Sequence, residues 1–305
     1  MTRVQAARSL PRRRNQAHPK AAVLMLVLPV GLLAVLGVFP MLYSFWISLH
    51  QWYLGQPYLF PFVGLANYAS VLESSVFLHT VAVTLGLTVA TVALQLVLGL
   101  GMGLLLYRRD IAGLTAYRTL LILPMAVAPM VAGILWRFML NPDYGVLAYL
   151  ADRVFGGTWN PLGSTWPALG TLLATYTWEW TPFVALFLYA AMLSAPKEAL
   201  EAAQIDGASD SQAVRYILLP YLRQVVTVVG VLEMVTALRM FTLVYTLTSG
   251  GPGLSTATVS YRIWQNGLNF FFMGRAAAES WIVIAIASVL ATVLIRVGRF
   301  EVRAS

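Results

Sequence analysis

Four ionisable side chains fall inside long apolar runs of this sequence: Glu179, Glu233, Arg239 and Glu279. A charge at membrane depth is costly and faces a water-filled cavity or a charged partner. Glu279 has Arg275 four residues before it, the helical spacing of an ion pair. Arg239 suits an intramembrane pair and a cavity wall equally well. Glu179 and Glu233 have no charged residue three or four positions away. They are therefore the candidates for contact with a polar solute, whose hydroxyls a carboxylate can accept. Nothing points to catalysis. His18, His50 and His79 are isolated, no His-Asp pair or metal-ligand spacing occurs, and there is no Cys for thiolate or disulfide chemistry. No Gly-x-x-x-x-Gly-Lys-Ser/Thr loop is present, so no nucleotide site is expected in this chain.

The elements that hold these residues follow from composition. The 305 residues are 59% hydrophobic and 10% charged, against roughly 25% charged in an average soluble domain. Mean hydropathy is +0.74. A soluble globule of this size cannot hide that much apolar surface, and disordered, collagen-like and disulfide-scaffold classes fail on the same numbers. An integral membrane protein is predicted, with six helical spans near 21–47, 80–107, 119–140, 167–193, 225–247 and 276–297. The alternating pattern of a membrane β-barrel is absent. The first run is too long for a signal peptide.

The net charge of +8 is one of topology. Fifteen of the 20 Lys and Arg lie in the N-terminal tail, the second-to-third and fourth-to-fifth connections and the C-terminal end. The positive-inside rule then places both termini in the cytoplasm. The basic residues are not interleaved with exposed aromatics, so no nucleic-acid partner is expected. Residues 1–20 read as a basic cytoplasmic tail touching anionic lipid, and 21–305 as one transmembrane domain. Residues 50–79, free of Lys and Arg and rich in aromatics, are expected at the outer interface. Trp46, Trp52, Trp136, Trp159, Trp166 and Trp281 read as interfacial anchors. Gly99-x-Gly-x-Gly103 reads as a close helix contact rather than a nucleotide loop.

The fourth-to-fifth connection, 194–224, carries helix signals twice. Pro196 suits a first helical turn, and Ala199, Ala202 and Ala203 form a narrow face of small residues. Gly207 can take the positive φ that ends a helix. Ser209 and Gln212 have capping-box spacing, and Pro220 is expected to interrupt the next helix. Two short helices joined by a tight turn result, with Glu201 and Asp206 placed for ion pairs. The residues alone leave open whether this hairpin docks a cytoplasmic partner or only caps the bundle.

Glu201-Ala-Ala-x-x-Asp206-Gly207-Ala208, followed by Ile217-x-Leu219-Pro220, resembles the EAA loop of ABC importer permeases. Other stretches resemble the same family: Phe62-Val-Gly-Leu-Ala-Asn-Tyr68, Arg118-Thr-Leu-Leu-Ile-Leu-Pro124 with Trp136, and Asn141-Pro-Asp-Tyr-Gly145. Leu247-Thr-Ser-Gly-Gly-Pro-Gly253 with Ser255-Thr256 and Gly274-x-Ala-Ala277 is similar to the external loop of the sugar-uptake branch. Val214 and Gln224 depart from the family's usual Phe and Pro, and the extra N-terminal helices and large external domain of the maltose permease are missing.

The resemblance implies an all-α type I ABC importer permease fold in a bacterial or archaeal cytoplasmic membrane. It implies a second homologous permease subunit, two copies of a cytoplasmic ABC ATPase that bind ATP and Mg, and an extracytoplasmic substrate-binding protein. Glu201, Ala202, Ala203, Asp206, Gly207, Ala208, Ile217, Leu219 and Pro220 would form the coupling element. Met125, Pro129, Glu179, Trp180, Glu233 and Ala237 match positions that line the sugar site in the maltose-type branch. An oligosaccharide or disaccharide is the first expectation, and glycerol phosphate, a polyol or an aminosugar the second. An ion-gradient-driven transporter would leave the Ala-faced hairpin without a purpose.

Overall fold

The computed structural model describes residues 27–108, 113–157 and 159–303, with side chains to 296. The basic tail 1–20, the start of the first span, Arg109, and the side chains of Arg299 and Arg303 lie outside the described residues. The chain divides into two units, Met1–Trp46 and Ile47–Ser305. The first is helical over its described part, which belongs to α1 (Val27–Ser48) and contains a π-helical turn at Ala34–Val38.

The second unit is a helical bundle. Its elements are α2 (Ala66–Leu72), α3 (Ser75–Tyr107), α4 (Leu114–Ala126), α5 (Pro129–Met139), α6 (Val146–Phe155), α7 (Thr165–Leu193) and α8 (Lys197–Ile205). They are followed by α9 (Asp210–Leu238), α10 (Val259–Trp264) and α11 (Met273–Arg303). Four helices are long and apolar enough to cross a membrane, or up to six if two bent pairs each count as one span.

Helices occupy the described part of each of the six predicted spans, with two corrections. The third is not one helix: α4 and α5 meet at 96°. Pro129 causes the break. It disfavours helical geometry at the residue before it, and Ala128 is extended at ψ 135°, while Pro129 itself starts α5. The fifth begins at Asp210 rather than 225 and ends at Leu238 rather than 247. Pro220 does not interrupt it. A π-helical turn at Val214–Leu218 comes first, with the Leu219 N–H donating to the Val214 carbonyl, and this shift of register accommodates the proline's missing N–H. Val244–Thr248 is a separate π-helical turn that packs against α5.

Helix α3 packs most extensively on α7. A Cβ on Gly99 would lie 2.6 Å from Val184 Cγ1, and one on Gly103 3.1 Å from the Ala185 carbonyl, whereas one on Gly101 would meet nothing. The outer two glycines are thus the close-contact face expected of this motif. One apolar cluster joins Leu87, Leu172, Tyr176, Ala237, Met240 and Leu247, with Trp136 and Trp180 against it. Trp136, expected as an interfacial anchor, therefore packs into the bundle. A second cluster joins Val184, Leu188, Met192, Leu218, Leu222 and Val229.

The aromatic segment after α1 is clasped to the start of α11. Leu54 N–H donates to the Phe271 carbonyl at 3.0 Å and Gly274 N–H to the Trp52 carbonyl at 3.2 Å. Asn67 Nδ2 donates to the carbonyls of Ser48 (2.8 Å) and His50 (2.9 Å). A side chain on Gly274 would collide with the His50 carbonyl and sit 3.1 Å from Trp52 N. Gly274→Val is therefore expected to open this clasp at a cost of about 1–3 kcal/mol. New proteolytic cuts within 50–62 would register it; an unchanged cleavage pattern would count against the contact.

Candidate functional site

Two places carry the chemistry: a polar seam inside the bundle and the hairpin after α7.

The seam begins on α3. Thr80, Thr84, Thr88, Thr91 and Gln95 follow one another three or four residues apart and are all buried. They continue into Gly99 and Gly103, so one face of this apolar helix is polar or small along its length. Three of the hydroxyls return to the helix's own carbonyls: Thr80 to Phe77 (2.8 Å), Thr84 to Thr80 (2.7 Å) and Thr91 to Leu87 (2.8 Å). Thr88 Oγ1 and both polar atoms of the Gln95 amide have no hydrogen-bond partner.

Helices α7 and α9 bring the remaining groups. Glu179 is 2% exposed and Glu233 1%, and Oε2 of each has no hydrogen-bond partner. The same holds for the Tyr176 hydroxyl and the Thr175 and Thr177 hydroxyls. Tyr176 links the two helices: it stands one turn before Glu179 on α7 and packs in one cluster with Ala237, one turn after Glu233 on α9. Its ring is 6.3 Å from that of Trp180. Ala237 is buried in the same cluster as Tyr176. So the fold gathers Glu179, Trp180, Glu233 and Ala237 around one tyrosine. Arg239 is exposed at the end of α9.

Met125 and Pro129 flank the bend between α4 and α5 and are exposed, and neither belongs to that cluster. Beside the bend, an apolar groove of about 540 Å³ runs between α3, α4 and α7, lined by Leu94, Leu121, Pro124, Trp178 and Pro182 among others. By helical phase it lies on the face of α7 opposite Glu179 and Tyr176. Glu279 differs in having partners within the bundle. It is 0% exposed, accepts from Asn266 Nδ2 at 2.6 Å and has Arg275 Nε at 3.7 Å, as its spacing predicts.

Sequence reasoning misses Gln95, the threonines and Tyr176. The signal is present: a run of hydroxyl and amide side chains at helical spacing inside a span, and a Tyr three residues before a lone Glu.

The hairpin is built as its caps specify. α7 and α8 meet at 72°. Gly207 sits at φ 83°, and a complete capping box comes after it, with Gln212 Oε1 accepting from Ser209 N–H at 2.8 Å. Glu201, Ala202, Asp206 and Gly207 are exposed, as is Ile205 at 87%. Ala203, Ala208 and Ile217 are half-buried, and Leu219 and Pro220 exposed. Among the described residues Glu201 and Asp206 take no salt bridge. The hairpin's roots are apolar: Leu218 is buried in the second cluster, and Leu200 and Val214 pack against it. Val214, one of the departures from the family pattern, is therefore an anchor. The Tyr221 hydroxyl donates to the Ser194 carbonyl at 3.0 Å across the base.

Residues 95–300 match the family described as binding-protein-dependent transport system inner membrane component. The chain is 33% identical over 282 residues to the trehalose/maltose transport system permease protein MalF of Thermococcus litoralis, covering 92% of this chain and 95% of that one. It is 36% identical over 270 residues to the sn-glycerol-3-phosphate transport system permease protein UgpA of Brucella suis, covering 85% and 90%. Its fold is similar to a chain of a bacterial alginate ABC transporter solved with a pentasaccharide-bound periplasmic protein, at a TM-score of 0.76 and 17% identity, covering 90% and 93%.

Proposed function

The chain belongs to the family of binding-protein-dependent transport system inner membrane components, and from that we propose that it is one of two permease subunits of an ATP-driven sugar importer. Two ATPase subunits supply ATP hydrolysis with Mg, and an extracytoplasmic protein delivers the solute. Both termini face the cytoplasm. Closure of the ATPases on ATP pushes the coupling element, and the bundle alternates between outward-open and inward-open states as a two-state rigid-body device. Glu201, Ala202, Ala203, Asp206, Gly207, Ala208, Ile217, Leu219 and Pro220 form that element. A disaccharide or oligosaccharide is the first candidate solute, since relatives are named for trehalose and maltose. A polyol, an aminosugar or glycerol phosphate is the second.

The observation that carries this reading is a hairpin with an exposed, small-residue and acidic face whose roots enter the bundle core through Leu200, Val214 and Leu218. A push on such a lever reaches α7 and α9 directly. The chain has no Cys, so Ile205→Cys supplies a unique thiol in it. In the assembled transporter, that thiol is expected to cross-link to the ATPase, with a yield that changes when ATP is trapped by vanadate. Labelling of the introduced thiol from outside intact cells, or cross-links to no other protein, overturns the reading.

Around Tyr176, the same proposal assigns a solute-binding waist to Glu179, Trp180, Glu233 and Ala237; it gives Met125 and Pro129, which stand outside that cluster, a separate solute contact at the α4–α5 bend. A variant combining Glu233→Gln and Trp180→Ala is expected to lose about tenfold or more in uptake, from one charge-assisted hydrogen bond and one stacked ring. Uptake near the wild-type rate, with normal expression and normal ATPase coupling, would remove both residues from the waist.

A further inference from the structure

Gln95, Glu179 and Glu233 come from three helices and stand at one depth. Gly99 approaches Val184 and Ala185, and Gly103 approaches Ala185, Tyr189 and Met192, so α3 and α7 run in the same direction. One turn back from the Gly99 contact along each helix are Gln95 and the Glu179–Trp180 pair. Gly230 of α9 approaches Leu96, and Glu233 lies one turn beyond it on the same face. All three side chains are at least 98% buried.

Of the polar atoms left without partners here, Glu179 Oε2, Glu233 Oε2 and Gln95 Oε1 accept, Gln95 Nε2 donates, and the Tyr176, Thr88, Thr175 and Thr177 hydroxyls can do either. Arg239, six residues after Glu233, is exposed at the end of α9. Among the described residues neither Glu179 nor Glu233 takes a salt bridge. An incoming solute must bring hydrogen-bond donors, and must not bring a second negative charge into a desolvated place. Sugar hydroxyls and ammonium groups meet both demands. Phosphate and carboxylate groups meet neither.

Building on the solute-binding waist, we propose that Glu179 and Glu233 act as a charge filter that admits neutral polyhydroxy and amino-bearing solutes and rejects phosphate- or carboxylate-bearing ones. On this assignment the chain parts in substrate class from its relative named for sn-glycerol-3-phosphate, although the two are 36% identical.

The absence of Cys makes the filter measurable without knowing the solute. Trp180→Cys and Ala237→Cys each place one thiol of this chain beside the glutamates. The transporter, co-purified with its own partners and reconstituted, is treated with methanethiosulfonates of similar size carrying ammonium, hydroxyl or sulfonate groups. Labelling of this chain is read by mass spectrometry, with rates normalised to a free thiol. The ammonium reagent is expected to react about thirtyfold or more faster than the sulfonate. In a Glu179→Gln, Glu233→Gln background the ratio is expected to fall to about threefold or less. Equal normalised rates before the Gln substitutions, or an unchanged ratio after them, overturns the charge filter while leaving a hydrated waist in place. Labelling by none of the reagents at either position in any nucleotide state overturns the waist itself, and the filter with it.

Discussion

A Glu201→Lys variant is expected to insert, fold and retain its helices, yet to lose ATP-driven uptake by about 100-fold or more. Glu201 lies on the exposed face of α8, with no salt bridge among the described residues, so its removal costs this chain little. The loss arises where the hairpin meets its partner. Unpairing a charge in a protein interface costs about 2–5 kcal/mol, and reversing its sign adds repulsion. Every 1.4 kcal/mol is about a factor of ten. The measurement is uptake in cells together with ATPase activity of the purified complex, with expression and thermal stability as controls. Uptake at more than about half the wild-type rate would remove Glu201 from the coupling contact, since no interfacial charge reversal of the size argued here is that mild. Lowered thermal stability would instead assign it a role in holding the bundle.

Gly99→Leu is expected to prevent accumulation of folded protein. Its first side-chain carbon alone would come within 2.6 Å of Val184 Cγ1 and 3.2 Å of Ala185 N. The second neighbour is backbone, which cannot turn aside as a side chain can. Overpacking of a core costs about 1–3 kcal/mol where side chains can yield, and here the two helices must separate. Gly101→Leu is the control on the same helix, two residues away with open space around its Cβ. Fluorescence-detected size exclusion of detergent extracts should show the folded peak lost for Gly99→Leu and kept for Gly101→Leu. Comparable peaks from both would mean that α3 and α7 do not pack through this glycine.

Much of the architecture is legible in the residues. Apolar runs long enough to cross lipid, the basic ends that orient them, and the helix stops and caps at Gly207, Ser209 and Gln212 are local properties of a few neighbouring residues. They are readable for that reason, and the hairpin forms as its caps specify. Where a local signal has two structural answers, reading along the chain fails. Pro129 falls inside a predicted span, but with Ala128 extended it turns the chain by 96°. Pro220 reads as a break, but a π-helical turn ahead of it lets α9 run through. A proline always removes a donor; what surrounds it decides whether the chain bends or shifts register.

The lone intramembrane carboxyls and the Glu-Ala-Ala hairpin are determined by sequence alone, because residue type, spacing and the cost of charge in lipid are enough to single them out. That Glu179 and Glu233 share one tyrosine and one depth with Gln95 is decided only by tertiary structure. So is the rooting of the hairpin in the core through Leu200, Val214 and Leu218. Each depends on which face of one helix meets which face of another. That pairing is set by small residues such as Gly99 and Gly103 that let the backbones approach, and contact between distant segments leaves no periodic mark within either one.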